Sequence, residues 1–282
     1  MKRVLLFVLL LFIWTNAYSE EVLEIRIPSS LNGGDDYSKG VLKLALEKVD
    51  VKFKLIEVGS MNQKRAVVGL KTDALDLIWM GTSSKFENEV LPIRFPLYKG
   101  LMGYRLFLIH QENQKLFNNE TTLEDLVKLN AVQGLGWSDV SILEGAGLKV
   151  IKGEYKNLFK FINRGRGVFF PRGITEAFKE LEERPALYNL AVEDNVVLHY
   201  PFAFLFFTSK IKVKLNHLIR KGLEIALSDG SFTKYFHENK EVLAALQRAK
   251  INERLEIYIE NPFMSKETLE LPSKYWFKPH IN

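Results

Sequence analysis

The chain has 282 residues, 47% of them hydrophobic and 26% charged, with a formal net charge of +5 and no cysteine. The lack of cysteine excludes disulfides, thiol nucleophiles, cysteine zinc sites and the lipid-modified cysteine of a bacterial lipoprotein. The length suits one large domain or two lobes; lysine and arginine interleave with aspartate and glutamate nearly everywhere, which speaks for a solvated surface and against a nucleic-acid partner.

Residues 1–19 read as an export signal. Lys2 and Arg3 precede an apolar run, Val4 to Trp14, that is too short to span a bilayer. Ala17 and Ser19 place small residues at the cleavage positions, so processing before Glu20 is expected, with a soluble periplasmic chain as product. An uncleaved membrane anchor is the alternative.

Beyond the leader, Val22–Pro28 alternates as a strand does. Ser38–Val49 puts Val41, Leu42, Ala45, Leu46 and Val49 on one helical face. Val51–Val58 alternates again, Gln63–Lys71 is helical and Leu75–Met80 is a continuous apolar strand. This β-α-β-α-β order predicts a parallel sheet covered by helices. Tyr104–His110 is a further strand. A second unit opens at Thr121-Thr122-Leu123-Glu124, which has capping-box spacing. A strand at Ala131–Leu135 follows, then a helix over Ser138–Ala146 that ends at Gly147 as a left-handed cap. Next come a strand at Leu148–Ile151, a helix at Tyr155–Asn163, a strand at Gly167–Phe170 and a helix at Ile174–Glu183. Strands Val196–Tyr200 and Phe202–Thr208 flank Pro201. A helix runs from Leu215 to Asp229-Gly230, and another covers Glu241–Ala249. The irregular tail with Tyr275, Trp276 and Phe277 is expected to pack on the first lobe.

Two strand-to-helix turns carry the candidate chemistry: Gly136-Trp137-Ser138-Asp139 and Phe170-Pro171-Arg172-Gly173. Such turns are where α/β proteins hold small ligands. Ser138 and Asp139 either cap their helix or stand where its free amides meet a ligand anion; Asp139 could instead meet a cation. Trp137 is a stacking wall or a core residue. Arg172 offers a planar fork for carboxylate or phosphate, or else a salt bridge. Trp79, Gly81 and Thr82 end the third strand and supply a wall, a close backbone approach and a hydroxyl. Asn32 carries the same argument after the first strand. Arg105 reads equally as ligand contact or structural pair. The five histidines lack metal-ligand spacing, and no Gly-x-Ser-x-Gly, Walker or His-Glu-x-x-His motif is present, so no metal site or cofactor is expected.

Several ordered blocks resemble a known family: Leu70-Lys71-Thr72-Asp73-Ala74-Leu75-Asp76, Phe95-Pro96-Leu97-Tyr98-Lys99-Gly100, Gly134-Leu135-Gly136-Trp137-Ser138-Asp139, Phe169-Phe170-Pro171-Arg172-Gly173 and Asp229-Gly230-Ser231-Phe232. Over essentially the whole mature chain the sequence is similar to solute-binding protein family 3, the substrate-binding proteins of amino-acid ABC transporters. The resemblance implies an α/β, type II periplasmic-binding-protein fold, with two lobes joined by a two-segment hinge. Residues 20–110 would begin lobe one, 111–199 would form lobe two and 200–282 would return to lobe one, with crossings near His110-Gln111 and His199-Tyr200. It implies a monomer without enzymatic activity that closes on a small polar, anionic or zwitterionic solute and serves a membrane permease or a membrane sensor protein. The alternative is a dehydratase-like enzyme acting on a small organic acid, with Glu89, Asp139 or Glu176 as its acid or base. The family's amino-acid binders carry an arginine shortly before the Phe95 block and an aspartate near the Phe170 block. Here Glu89 and Arg172 stand in those regions, so an α-amino acid held in the usual way is not expected.

Overall fold

The computed structural model describes residues 22–29, 36–184 and 189–277. The export signal at 1–19 and the candidate Asn32 lie outside the described residues.

Strand β1 (Leu23–Ile27) is followed by helix α1 (Asp36–Glu47) and strand β2 (Phe53–Glu57), and β1 and β2 pair in parallel. Helix α1 buries Val41, Leu42, Ala45 and Leu46, the face that its spacing predicts. Helix α2 (Gln63–Lys71) starts on Asn62, whose side chain accepts from the Arg65 amide. Strand β3 (Leu77–Gly81) is buried at every position and leads into α3 (Ser84–Glu89) and β4 (Leu91–Ile93).

A short turn at Leu101–Gly103 carries the chain into β5 (Tyr104–His110). Then come α4 (Leu123–Lys128), β6 (Asn130–Gly134), α5 (Ser138–Gly145), β7 (Lys149–Gly153), α6 (Tyr155–Asn163), β8 (Phe169–Gly173), α7 (Ile174–Glu182), β9 (Leu190–Val192) and β10 (Val196–His199). Helix α4 has its capping box one residue later than the Thr121–Glu124 spacing predicts. Thr122 is the cap and Asp125 closes the box, because the Thr121 hydroxyl is already accepting from the Asn118 amide. Helix α5 ends as expected: Gly147 has φ +87°, its amide reaches Glu144 and the Leu148 amide reaches Leu143.

The chain returns through Tyr200–Ala203 to β11 (Phe204–Thr208), then α8 (Val213–Ser228), α9 (Ser231–Glu238), α10 (Lys240–Ala249), β12 (Leu255–Tyr258) and α11 (Lys266–Leu269). Strand β11 inserts antiparallel between β3 and β4. The parallel sheet expected from the first unit is therefore limited to β1 and β2, since β3 takes its partner from the far end of the chain. The larger sheet runs β12-β10-β5-β8-β6-β7, with β9 beside β5. Tyr104–His110, which the sequence division puts in the first lobe, hydrogen-bonds to β8, β9 and β10 of this sheet.

The tail makes a third connection between the two groups of strands. Strand β12 lies parallel to β10. Beyond it, the Ile259 amide donates to the His199 carbonyl at 2.9 Å and Asn261 Nδ2 to the Pro201 carbonyl at 2.8 Å. The Ser84 amide then takes the Phe263 carbonyl at 2.7 Å. Tyr275 bonds Glu224 of α8 and packs edge-on against Phe95, so the aromatic tail seats on elements beside the smaller sheets. No helix among the described residues is long and apolar enough to cross a membrane.

Candidate functional site

A cavity lies where the two groups of strands meet, with about 40 Å³ of room for water-sized occupants. From the smaller sheets it is lined by Gln63 at the start of α2, Trp79 and Gly81 on β3, and Phe204 on β11. From the larger sheet come Arg105 on β5, Trp137 and Asp139 at the turn into α5, Arg172 on β8, and Glu176 on α7. Met102 and Phe202 line it from the two crossing segments. Every contributing strand meets the cavity at one end, which is how open α/β sheets present ligand-binding loops.

Arg172 is buried and fully engaged. Its Nε donates to Glu180 Oε2 at 2.7 Å and its Nη2 to Glu180 Oε1 at 2.6 Å, a bidentate pair; Glu176 Oε1 stands 3.0 Å from Nη2. The guanidinium lies over Trp137 at 4.8 Å and Phe170 at 4.9 Å, and Tyr155 Oη donates to the same Glu180 carboxylate. Burial alone would pull the Arg172 pKa down; the Glu176 and Glu180 charges reverse this and hold it above its ordinary value. Burial pushes the Glu176 carboxyl up, against the opposing pull of Arg172.

Arg105 is equally buried but differently served. Its Nη2 lies 2.7 Å from Asp139 Oδ1 without hydrogen-bond alignment, and its Nη1 is 3.9 Å from Glu176 Oε2. Its Nε has no hydrogen-bond partner among the described residues. The guanidinium is flanked by Phe202 at 4.5 Å and Tyr200 at 5.2 Å. Tyr200 Oη donates to Asp139 at 2.6 Å, and burial raises the Tyr200 pKa, so that phenol keeps its proton and serves as donor.

The residues expected from sequence distribute as follows. Trp79, Gly81, Trp137, Asp139 and Arg172 line one cavity. Ser138 sits between two lining residues with a buried hydroxyl that has no partner. That hydroxyl lies 3.0 Å from where a Cβ on Gly81 would stand, and the same Cβ would meet the Phe202 ring at 2.2 Å. Only glycine at 81 lets the two walls approach this closely. Helix α5 has Trp137 as its cap residue, with no side-chain cap bond, so Ser138 and Asp139 are helical residues rather than caps. Thr82 is turned to structure: its hydroxyl donates to Glu87, which also accepts from Ser265 and Thr268.

The lining residues Gln63, Met102, Phe202 and Phe204, and Glu180 behind Arg172, were not singled out from sequence. One signal was present: Arg172, Glu176 and Glu180 recur at four-residue spacing, so the first turns of α7 bring both carboxylates back toward β8. Among the described residues no group of three or more histidines or carboxylates could hold a metal ion.

No family model and no curated protein matches the chain. Solved structures do. An ancestral arginine-binding protein bound to arginine aligns over 76% of this chain and 97% of its own, with 17% identity and TM-score 0.57. The VFT2 domain of BvgS from Bordetella pertussis aligns over 76% and 91%, with 14% identity and TM-score 0.57. An ancestral amino acid-binding protein described as a precursor of cyclohexadienyl dehydratase aligns over 77% and 94%, with 14% identity and TM-score 0.55. The chain has the type II periplasmic-binding-protein fold.

Proposed function

We propose that this protein is a non-enzymatic solute-binding protein of the periplasm, exported by cleavage of residues 1–19, that closes its two lobes over a small polar solute. The observation that carries the reading is the inter-sheet cavity, lined from both groups of strands and bordered by buried polar atoms with no hydrogen-bond partner in the protein: Arg105 Nε, Ser138 Oγ and Gln63 Oε1. A buried polar atom left unpaired costs roughly 1–3 kcal/mol, and a ligand that pairs it recovers that cost on closure. Two crossing segments and the Ile259–Phe263 strap join the lobes, and closure about them is the proposed motion. Solved proteins of this fold named for arginine and amino-acid binding support the same reading.

Two arginines and two carboxylates, Asp139 and Glu176, line the cavity, and Glu180 pairs with Arg172 beside it. Since Arg172 is consumed by Glu180 and Glu176, it does not serve as the free anion anchor of this reading. The bound solute would be passed to a membrane permease or reported to a membrane sensor; the likeness to the BvgS domain keeps the second role beside the first. A dehydratase-like activity is disfavoured because each cleft carboxylate is already tied to an arginine, and the dehydratase-related neighbour is itself described as amino acid-binding.

The test is a thermal-melting screen of the purified protein against amino acids, di- and tricarboxylates, phosphoesters, polyamines and short peptides. A ligand at a hundred times its dissociation constant adds about 2.7 kcal/mol of stability and raises the midpoint. At least one small solute is expected to do so. Uniformly flat melting across the library would reject the reading.

A further inference from the structure

We propose that the outer face of helix α8, with the turn at 210–212 that leads into it, docks the protein onto the anionic headgroups of a lipid bilayer. None of its residues lines the cavity, and the proposal does not depend on solute binding. Residues 210–214 read Lys-Ile-Lys-Val-Lys. Ile211 is 73% exposed and Val213 is 44% exposed. One exposed aliphatic is ordinary on a protein surface; two that alternate with three lysines form an apolar tip inside a cationic collar. From Val213 onward the helical repeat brings Lys214, His217, Arg220, Lys221 and Glu224 to the same side.

The charges around this face are balanced, but those on it are not. Lys212 stands 3.4 Å from Asp73 and 3.1 Å from Asp76, the carboxylates that Arg26 also holds. Lys71 faces Glu89, and Lys48 faces Asp229. Lys210, in contrast, donates to the Asn88 carbonyl, which leaves its charge uncompensated. Lys214, Arg220 and Lys221 make no ion pair among the described residues. These four cations share the face with one carboxylate, Glu224, which accepts from Tyr275. Nor do the lysines serve the helix. A helix start favours negative charge, yet the first turn of α8 holds no acidic residue and Lys212 precedes it without a side-chain cap bond. Cations kept at the unfavourable end of a helix, around aliphatic tips, suit an anionic and apolar boundary: the amines meet phosphates while Ile211 and Val213 enter the acyl edge. Three of the four are lysines, point charges on flexible stems, which suit a field of equivalent headgroups better than the fixed carboxylates of a partner protein.

The test is sedimentation of the exported protein, free of its apolar leader, with vesicles of phosphatidylcholine alone or mixed about three to one with phosphatidylglycerol. Binding to the mixed vesicles is expected to be at least about tenfold tighter than to phosphatidylcholine alone, and to fall as salt is raised. Lys214→Glu combined with Lys221→Glu should weaken it about tenfold or more. The same two reversals at Lys149 on β7 and Lys160 on α6, both exposed, change the net charge equally and should leave binding nearly intact. Ile211→Asn keeps every charge and should still weaken binding about threefold or more, which a purely electrostatic attraction would not show. The melting midpoint of Lys214→Glu should stay level or rise, because an anion in the first turn suits the helix. Absence of binding to the mixed vesicles, equal binding to both kinds, equal loss in the two charge-reversed pairs, or full binding by Ile211→Asn would overturn the proposal. Binding of an acidic protein domain without vesicle binding would give the face to a protein partner and overturn it likewise.

Discussion

Arg172 illustrates how a single side chain is decided by its surroundings. A guanidinium at a strand-to-helix turn suits an external anion as well as an internal one. Glu180, two turns into the helix that Arg172 itself precedes, takes both donors of the fork. Arg172→Ala would leave Glu180 and Glu176 buried without their cation. Breaking a buried pair from one side costs about 3–5 kcal/mol, so this variant should melt far below the wild type in the absence of any solute. Denaturant unfolding measures it; a stability within about 1 kcal/mol of wild type would show that the pair is not structural. Much of this site was visible residue by residue. Trp79, Gly81, Trp137, Asp139 and Arg172 converge as their strand-end positions suggest. Thr82 does not fit that pattern, because its hydroxyl donates to Glu87, whose carboxylate is held in turn by Ser265 and Thr268 from far along the chain. Arg105 could be seen as a charge inside a buried strand, but the unpaired Nε that it keeps beside Asp139 exists only in three dimensions.

At the scale of elements, local pattern decided what could be read. Helices α2 and α6 and strand β5 have the bounds that their spacing predicts, because their burial faces are written in contiguous residues. The short strands β4, β9 and β12 carry three or four residues each and hold only through partners far away in sequence. No periodicity can be detected over so few positions. The capping box of α4 belongs to the same lesson. Two threonines in a row both satisfy the motif, and the choice falls to Thr122 because Thr121 is held by Asn118. Thr122→Ala should cost about 1 kcal/mol, read as a lowered denaturation midpoint. Thr122→Ser should restore most of it. Equal stability of wild type and the alanine variant would contradict the assignment.

Across the whole molecule, two groups of strands meet at one charged cavity and are tied together at three places: the turn through Leu101–Gly103, the segment Tyr200–Ala203 and the strap from Ile259 to Phe263. Helix α10 adds a surface link to α7 through Lys179 and Glu241, which lie 2.7 Å apart, and through Arg248 and Glu182. Helix α7 also carries Glu176, which lines the cavity, and Glu180, which holds Arg172. This geometry puts the cleft where a small ligand would touch both groups of strands and both crossings at once. A crystal structure grown with the solute identified by melting tests that claim most directly. The account predicts the solute between Gly81 and α5, hydrogen-bonded to Arg105 Nε and Ser138 Oγ and with both walls in contact. Solute bound elsewhere on the surface, with Arg105 and Ser138 still unpartnered, would contradict it.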